Sequence, residues 1–374
     1  CSKNHRSDRA PQQEENPMGI PFEKLAPPRW EGTTPDRVER GPCTLGPGCV
    51  IDPPVVLSPM AAVTNPPFRL LCRELGAGMV VTEMINARLL VQNGPEECKW
   101  LDLRPEEHPV GVQLYGNDPE TLAAAAKIVE QEGANAVDLN MGCPMKKVTS
   151  NGCGAALLED PGRVHEIFSA MSEAVNIPVT GKMRAGWEES CAVSVAVEME
   201  RAGAAGLTIH GRTRSEGYDG HADLDVIREL VEAISIPVIG NGDVRDHISA
   251  RRMFSITGCA AVMVARGALG NPWVFAEIAA DLAEEEIPAR PSPEQKAALI
   301  GRHIDLYVAT FGEKLATLEL RKHLLWYFRG TSAEKVLRRM LSGINSREAI
   351  DEAVASAVAA CDRDLVRGAL ERSA

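Results

Sequence analysis

Eight short apolar runs, each followed by a loop and a helical pattern, constrain this chain more than any other feature. They are 55–58 (VVLS), 79–83 (MVVTE), 110–115 (VGVQLY), 136–140 (AVDLN), 178–183 (PVTGKM), 206–210 (GLTIH), 237–241 (PVIGN) and 261–265 (AVMVA). Strands alternating with amphipathic helices such as 121–133 and 160–175 build a parallel β/α architecture. A count of eight favours a closed (β/α)₈ TIM barrel over an open doubly wound sheet. After about Arg290 the strand signals stop and helical patterns take over. The α/β barrel is therefore expected over residues 43–292, as the catalytic domain, and a smaller all-helical C-terminal domain over 293–374. Residues 1–42, polar and rich in proline, read as a disordered lead.

The ten cysteines are scattered and no CxxC occurs, the usage of a protein with reduced thiols rather than a disulfide framework. No apolar run reaches the length of a membrane span, so a soluble, cytoplasmic protein is expected, and a monomer. The chain opens on Cys1 rather than Met; a missing or misplaced start, with Met18 as candidate, is preferred to a lipidated cysteine. The formal charge of −12 argues against nucleic acid as a partner, but its distribution does not. From residue 293 on there are 13 Lys and Arg against 11 Asp and Glu. Residues 321–340 hold Arg321, Lys322, Arg329, Lys335, Arg338 and Arg339 against Glu334 alone, with Trp326, Tyr327 and Phe328 interleaved. A solvated helix face and an RNA-facing surface both fit that pattern.

In such barrels chemistry sits where the strands end at the C-terminal face. Polar residues at those ends are Ser58, Gln113, Asn140, Lys182, Arg184, His210, Asn241, Asp243 and Arg266, with Pro59 and Met60 beside the first. Singly each is weak: Lys182 suits a Schiff base as in barrel aldolases, and a lone His210 suits a buried backbone partner. Collected on one rim they form a site that packing does not require. Cys143, in VDLNMGCPMKKVTSNGCGAALLEDP (137–161), follows a strand end in a loop rich in Gly and Asn, unlike a cysteine that fills a core. IGNGDV (239–244) and VARGALGNP (264–272) place glycines and an arginine after strands seven and eight, where barrels bind phosphate through backbone N–H groups; plain turn glycines are the alternative. No GxGxxG follows a strand, so FMN suits the chain better than a dinucleotide in a Rossmann domain.

The segments LSPMAAVTNPPFR (57–69), DLNMGCPMKKVTSNGCGAALL (138–158), GKMRAGW (181–187), IHGRTRSEGYDGHADLD (209–225), IGNGDV and RKHLLWYFRG (321–330) together resemble the bacterial tRNA-dihydrouridine synthases. That family is a flavin barrel with a C-terminal helical domain, which reduces particular uridines of tRNA using NADPH through FMN. The resemblance implies that Pro59, Met60 and Ala61 lie under the flavin and that Gln113 and Lys182 hydrogen-bond its ring. It implies that His210, Asn241, Gly242, Asp243, Ala265 and Arg266 hold the ribityl and phosphate portions. Cys143 would be the general acid. Asn140 would neighbour the target base, with Arg184, Arg212 and Arg214 also on the substrate side. The chain departs from the family at Ala265, where glycine is common, and at Asn271, where arginine is common.

Reducing the 5,6 double bond of uracil needs hydride at carbon 6 and a proton at carbon 5. A thiol with an ordinary pKa of about 8.5 is protonated at neutral pH and can donate. Loop uridines are cheaply turned out of the RNA. The basic stretch after Arg321, with Arg212 and Arg214, then reads as a tRNA-facing surface. Two rivals remain at this stage: a dihydroorotate dehydrogenase-like enzyme acting on a free pyrimidine, for which the basic helical domain has no purpose, and a non-catalytic RNA-binding barrel, for which the polar rim has none.

Overall fold

A computed structural model describes residues 24, 26–30 and 32–373, with the backbone alone at 362 and from 364 onward. Strands β1 (Cys43–Gly46) and β2 (Cys49–Ile51) form an antiparallel hairpin. There follow β3 (Val55–Leu57), β4 (Met79–Val81), β5 (Ile85–Asn86), β6 (Val110–Tyr115), β7 (Ala136–Met141) and β8 (Val179–Arg184). The last three are β9 (Gly206–His210), β10 (Val238–Asn241) and β11 (Ala261–Val264). Parallel pairing runs β3, β4, β6, β7, β8, β9, β10, β11 and returns to β3, which closes the ring at eight strands. All eight predicted runs are strands of this barrel. Strands β1, β2 and β5 were not predicted; at two to four residues they are too short for periodicity to mark.

Side chains alternate across a strand, so its parity decides what faces the barrel interior. In β7, Val137, Leu139 and Met141 join the core shared with the surrounding helices. Ala136 joins a second cluster inside the barrel with Val56, Met79, Ile239 and Met263. Asp138 and Asn140 share the parity of Ala136, as Lys182 shares that of Thr180 and Arg184. The hairpin supplies Cys43, Leu45, Cys49 and Ile51 to the same inner cluster. Burying each such apolar side chain is worth roughly 1.5–3 kcal/mol. The apolar hairpin thus closes the N-terminal end, and polar side chains point inward only toward the C-terminal end.

The helical region begins at Pro293, where Ser292 and Gln295 form a capping box. Its helices are Pro293–Phe311, Glu313–Tyr327, Ser332–Met340 and Arg347–Ser373. The basic stretch 321–340 is not one surface helix: it breaks after Tyr327, and Trp326, Tyr327 and Phe328 are buried. Their rings hold the helical region together and against the barrel, so they are no platform for stacking bases. Lys335, Arg338 and Arg339 are exposed on the helix Ser332–Met340. The region docks on the barrel helix Pro66–Glu74: Asn65 Nδ2 donates to Tyr307 Oη at 2.5 Å, and Phe68 lies against the rings of His303 and His323. Gly270 also marks this contact, because a Cβ there would meet the Trp326 carbonyl oxygen at 2.1 Å.

The disordered lead expected over 1–42 falls partly on residues 1–23, 25 and 31, outside those described, as do Cys1 and Met18. The described residues from 26 to 42 have neither helix nor strand and are held to the barrel by side-chain contacts. Among the described residues no helix is long and apolar enough to cross a membrane.

Candidate active site

A cavity of about 320 Å³ opens at the C-terminal end of the barrel. Strand parity and the loops that follow each strand bring every expected site residue except Arg212 and Arg214 to its lining. Pro59, Met60 and Ala61 come from the loop after β3, Gln113 from β6, and Asn140 and Cys143 from β7 and its loop. Lys182 and Arg184 come from β8, His210 from β9, Asn241 from β10, Gly242 and Asp243 from the loop after it, and Ala265 and Arg266 from the chain after β11.

Behind Cys143 lies a chain of side-chain hydrogen bonds. Asn140 Oδ1 accepts the backbone N–H of Cys143 at 2.9 Å and that of Gly142 at 3.2 Å. Its Nδ2 donates to Gln113 Oε1 at 2.8 Å. Gln113 Nε2 donates to Asp138 Oδ2 at 2.7 Å, and Thr180 Oγ1 donates to Asp138 Oδ1 at 2.8 Å. Burial raises the Asp138 carboxyl to about 6 against the pull of Gln113, Thr180 and Lys182. The second half of the loop folds back on the first. Gly154, at φ +62°, leaves no room for a Cβ, which would meet the Cys143 carbonyl oxygen at 2.8 Å.

Burial pushes the half-buried Cys143 thiol above its usual pKa, and outweighs the Met145 N–H, Arg184 and Lys147, which pull it down. The group is therefore a protonated thiol at neutral pH. Cys153 is buried, donates to the Asn151 carbonyl and stays out of the cavity lining.

Lys182 Nζ donates to Asn241 Oδ1 at 3.2 Å, and Asn241 Nδ2 donates to the Met263 carbonyl at 2.8 Å. Burial, reinforced by Arg184 and opposed by Asp138, lowers the Lys182 ammonium to about 8. His210 is held well below its usual pKa by burial and by the cations Arg184, Lys182, Arg212 and Arg266. It is a neutral imidazole. Its Nε2 lies 3.2 Å from Arg212 Nη1, which can only donate, so the proton sits on Nδ1.

Arg212 does not face RNA: it is fully buried and pairs with Asp243 through Nη2–Oδ2 at 2.7 Å and Nη1–Oδ1 at 3.0 Å. The motif HGRTR suggested a surface because arginine is usually exposed, but this guanidinium organises the loop after β10. Asp243 also accepts from Arg266 Nη2 at 3.1 Å and from the Ala222 N–H at 2.8 Å. Arg214 is half-buried and lies over Trp187 at 4.5 Å, outside the cavity lining. Arg184 lines the cavity, but its donors go to the carbonyls of Gly142, Thr213 and Gly217, each at 2.9 Å. It ties the cysteine loop to the loop after β9. Ala265 keeps φ at −111°, outside the left-handed region that favours glycine.

Asp138 and Tyr218 are among the residues of this site that were not singled out from the sequence. Asp138 was legible in principle, two residues before Asn140 on one strand and hence on the same face. Tyr218 lines the cavity with the guanidinium of Arg266 at 4.8 Å and that of Arg184 at 5.4 Å from its ring. No local spacing marks it.

Residues 56–362 match the family model described as "Dihydrouridine synthase (Dus)". The chain belongs to the dihydrouridine synthase family. It is 40% identical over 298 residues to tRNA-dihydrouridine synthase B of Pseudomonas aeruginosa, spanning 79% of this chain and 90% of that protein. It is 41% identical over 286 residues to a probable tRNA-dihydrouridine synthase of Rhodobacter capsulatus, spanning 76% and 88%. For that of Mycobacterium tuberculosis the identity is 39% over 312 residues, 80% of each. Among solved structures, histamine dehydrogenase from Rhizobium sp. 4-9 superposes with a TM-score of 0.51 at 14% identity, over 71% of this chain and 50% of that one. A 2-naphthoyl-CoA reductase complex gives 0.51 at 12%, over 63% and 51%. The chain spans about half of each, and at such identity the likeness is one of fold. As a member of this family the chain is an oxidoreductase, and the two rival readings fall away.

Proposed function

We propose that this chain reduces uridines of tRNA to 5,6-dihydrouridine with FMN in the barrel cavity, NADPH as electron donor, and Cys143 as general acid. The observation that carries the chemistry is the Cys143 thiol, held by its backbone to Asn140, in the lining of the same cavity as Lys182, His210 and Arg266. The residues fit FMN. Pro59, Met60 and Ala61 offer an apolar wall, Gln113 and Lys182 offer polar hydrogens to a flavin ring, and Arg266 with the loop N–H groups after β10 and β11 suits a phosphate. Gly242 at φ +137° keeps that loop close, since a Cβ there would meet Ala222 at 2.4 Å.

Reduced FMN supplies the hydride for carbon 6 of uracil. The chain's own part is to fix the base, keep water away and deliver a proton to carbon 5. Cys143 donates that proton and is reprotonated from solvent. Its raised pKa keeps the donor loaded at neutral pH. Lys182, the ammonium nearest Asn241, balances negative charge on the cofactor. Lys335, Arg338 and Arg339 supply a face for the tRNA backbone on the helical region. The test is to incubate the purified protein with FMN, NADPH and unmodified tRNA and to map dihydrouridine by mass spectrometry. Formation at defined positions is expected; flavin-loaded protein that leaves every uridine intact would overturn the reading.

A further inference from the structure

The described residues between 24 and 42 lie upstream of the family match at 56–362, yet they reach the cavity. Pro27 is buried and lines it, as do Asp243, Val244 and Arg266. The carbonyl of Lys24 accepts from Arg266 Nη1 at 2.6 Å, and that of Pro27 from Arg245 Nη1 at 3.3 Å. The Lys24 ammonium pairs with Asp219, next to Tyr218. Three residues beyond Pro27, Trp30 lies against the His221 ring at 4.6 Å and under the Arg252 guanidinium at 4.6 Å. Beyond it the Pro35 carbonyl accepts from Arg251, and Arg37 donates to the Glu285 carbonyl and lies 3.5 Å from Asp281. The anchors therefore belong to the loops after β9 and β10, the helix His247–Thr257 and the chain after β11.

We propose that this segment is a strap that closes the phosphate end of the flavin cavity and slows release of the cofactor. The inference rests on the FMN reading above. Arg266 is the shared part: one of its terminal nitrogens is held by Asp243 and the other by the strap's Lys24 carbonyl, so the strap fixes the guanidinium that faces the phosphate end. Pro27 covers the same end with a ring that offers no N–H to compete for the anion. Trp30 is the fastening, because a half-buried indole between a histidine and an arginine docks the segment while staying outside the cavity lining itself. Replacing it changes no residue of the cavity lining.

The experiment compares full-length wild type, Trp30→Ala, Trp30→Phe and Arg252→Gln, each loaded with FMN. After dilution, the flavin still carried by protein is followed over time by rapid ultrafiltration and absorbance. Trp30→Ala and Arg252→Gln should release FMN about three- to fivefold faster, the size expected from one lost aromatic–guanidinium contact. Trp30→Phe should release it nearly as slowly as wild type. Apoprotein melting temperatures should coincide. Equal release rates, or faster release that only tracks a lower apoprotein melting temperature, would overturn the strap. A wild type that takes up no FMN instead removes the cofactor reading, and is seen before any variant is compared.

Discussion

The Asn140 side chain holds Cys143 by its backbone rather than by its thiol, with Oδ1 taking the cysteine N–H at 2.9 Å while Nδ2 is engaged by Gln113. Both ends of the amide are thus occupied within the protein, which leaves Asn140 to aim the loop. Asn140→Ala removes the two hydrogen bonds at the turn, from the N–H groups of Gly142 and Cys143, and frees the Gln113 carbonyl, each worth about 1 kcal/mol. The expected result is a roughly tenfold or greater fall in kcat for dihydrouridine formation, since small misplacements of an acid are costly. Oxidation of NADPH by the flavin, measured without tRNA, should be unchanged. A kcat equal to wild type would remove the aiming role.

Cys143→Ala should slow reduction of tRNA by about 10²–10⁴, the usual contribution of a positioned general acid, while FMN stays bound and is still reduced by NADPH. Cys153→Ala is the control, for that thiol is buried and outside the cavity, and it should lose little. The decisive measurement is single-turnover oxidation of the reduced flavin by tRNA. Oxidation in Cys143→Ala as fast as in wild type would mean that another group delivers the proton.

Most of the barrel was legible because strands buried on both faces read as continuous apolar runs such as VVLS and AVMVA, and because polar residues at or just after the ends of these runs, such as Asn140, His210 and Arg266, mark the C-terminal rim. Side-chain direction was not legible in the same way. Arg212 carried the charge of an RNA contact, yet its partner Asp243 lies 31 residues on and only the fold brings them together. Trp326, Tyr327 and Phe328 sit among basic residues in the sequence, but three consecutive aromatics at a helix end cannot all face water, and here Trp326 joins the barrel core while Tyr327 and Phe328 join that of the helical region. Tyr218 has no spacing that announces it, because loops after β9 and β10 are joined in space alone.

The exposed basic residues after the break do make a testable surface. Replacing Lys335, Arg338 and Arg339 by Ala should weaken tRNA binding and make it less dependent on salt, because each phosphate contact adds about 0.7–0.9 to the slope of log K against log salt. Unchanged affinity and slope across salt would return this face to simple solvation. Stability should be nearly unaffected, since these three side chains lie outside the helical core and surface charges are worth about 0–1 kcal/mol.

The helical region meets the barrel through two buried histidines, and this gives the protein a pH dependence whose sign can be worked out. Burial lowers His303 to about 3, with Lys322 adding to the effect, and lowers His323 below its usual value with His303 and Lys322 contributing. Tyr327 Oη lies 3.2 Å from His303 Nδ1. A histidine whose folded pKa lies below its unfolded value binds protons more readily when unfolded. Its stabilising share is therefore complete above about pH 6.5 and is lost as the pH falls toward 3, at roughly 1.4 kcal/mol per pH unit. Asp138 works in the opposite direction: its carboxyl, raised to about 6, favours the folded state at low pH, so the total curve does not isolate the histidine. A difference does. Between pH 7 and pH 5 the wild type should lose about 2 kcal/mol relative to His303→Gln, read from chemical denaturation at each pH. Parallel stability curves for the two proteins would show that His303 titrates alike in the folded and unfolded chain, and that the contact between helical region and barrel is not the acid-sensitive part.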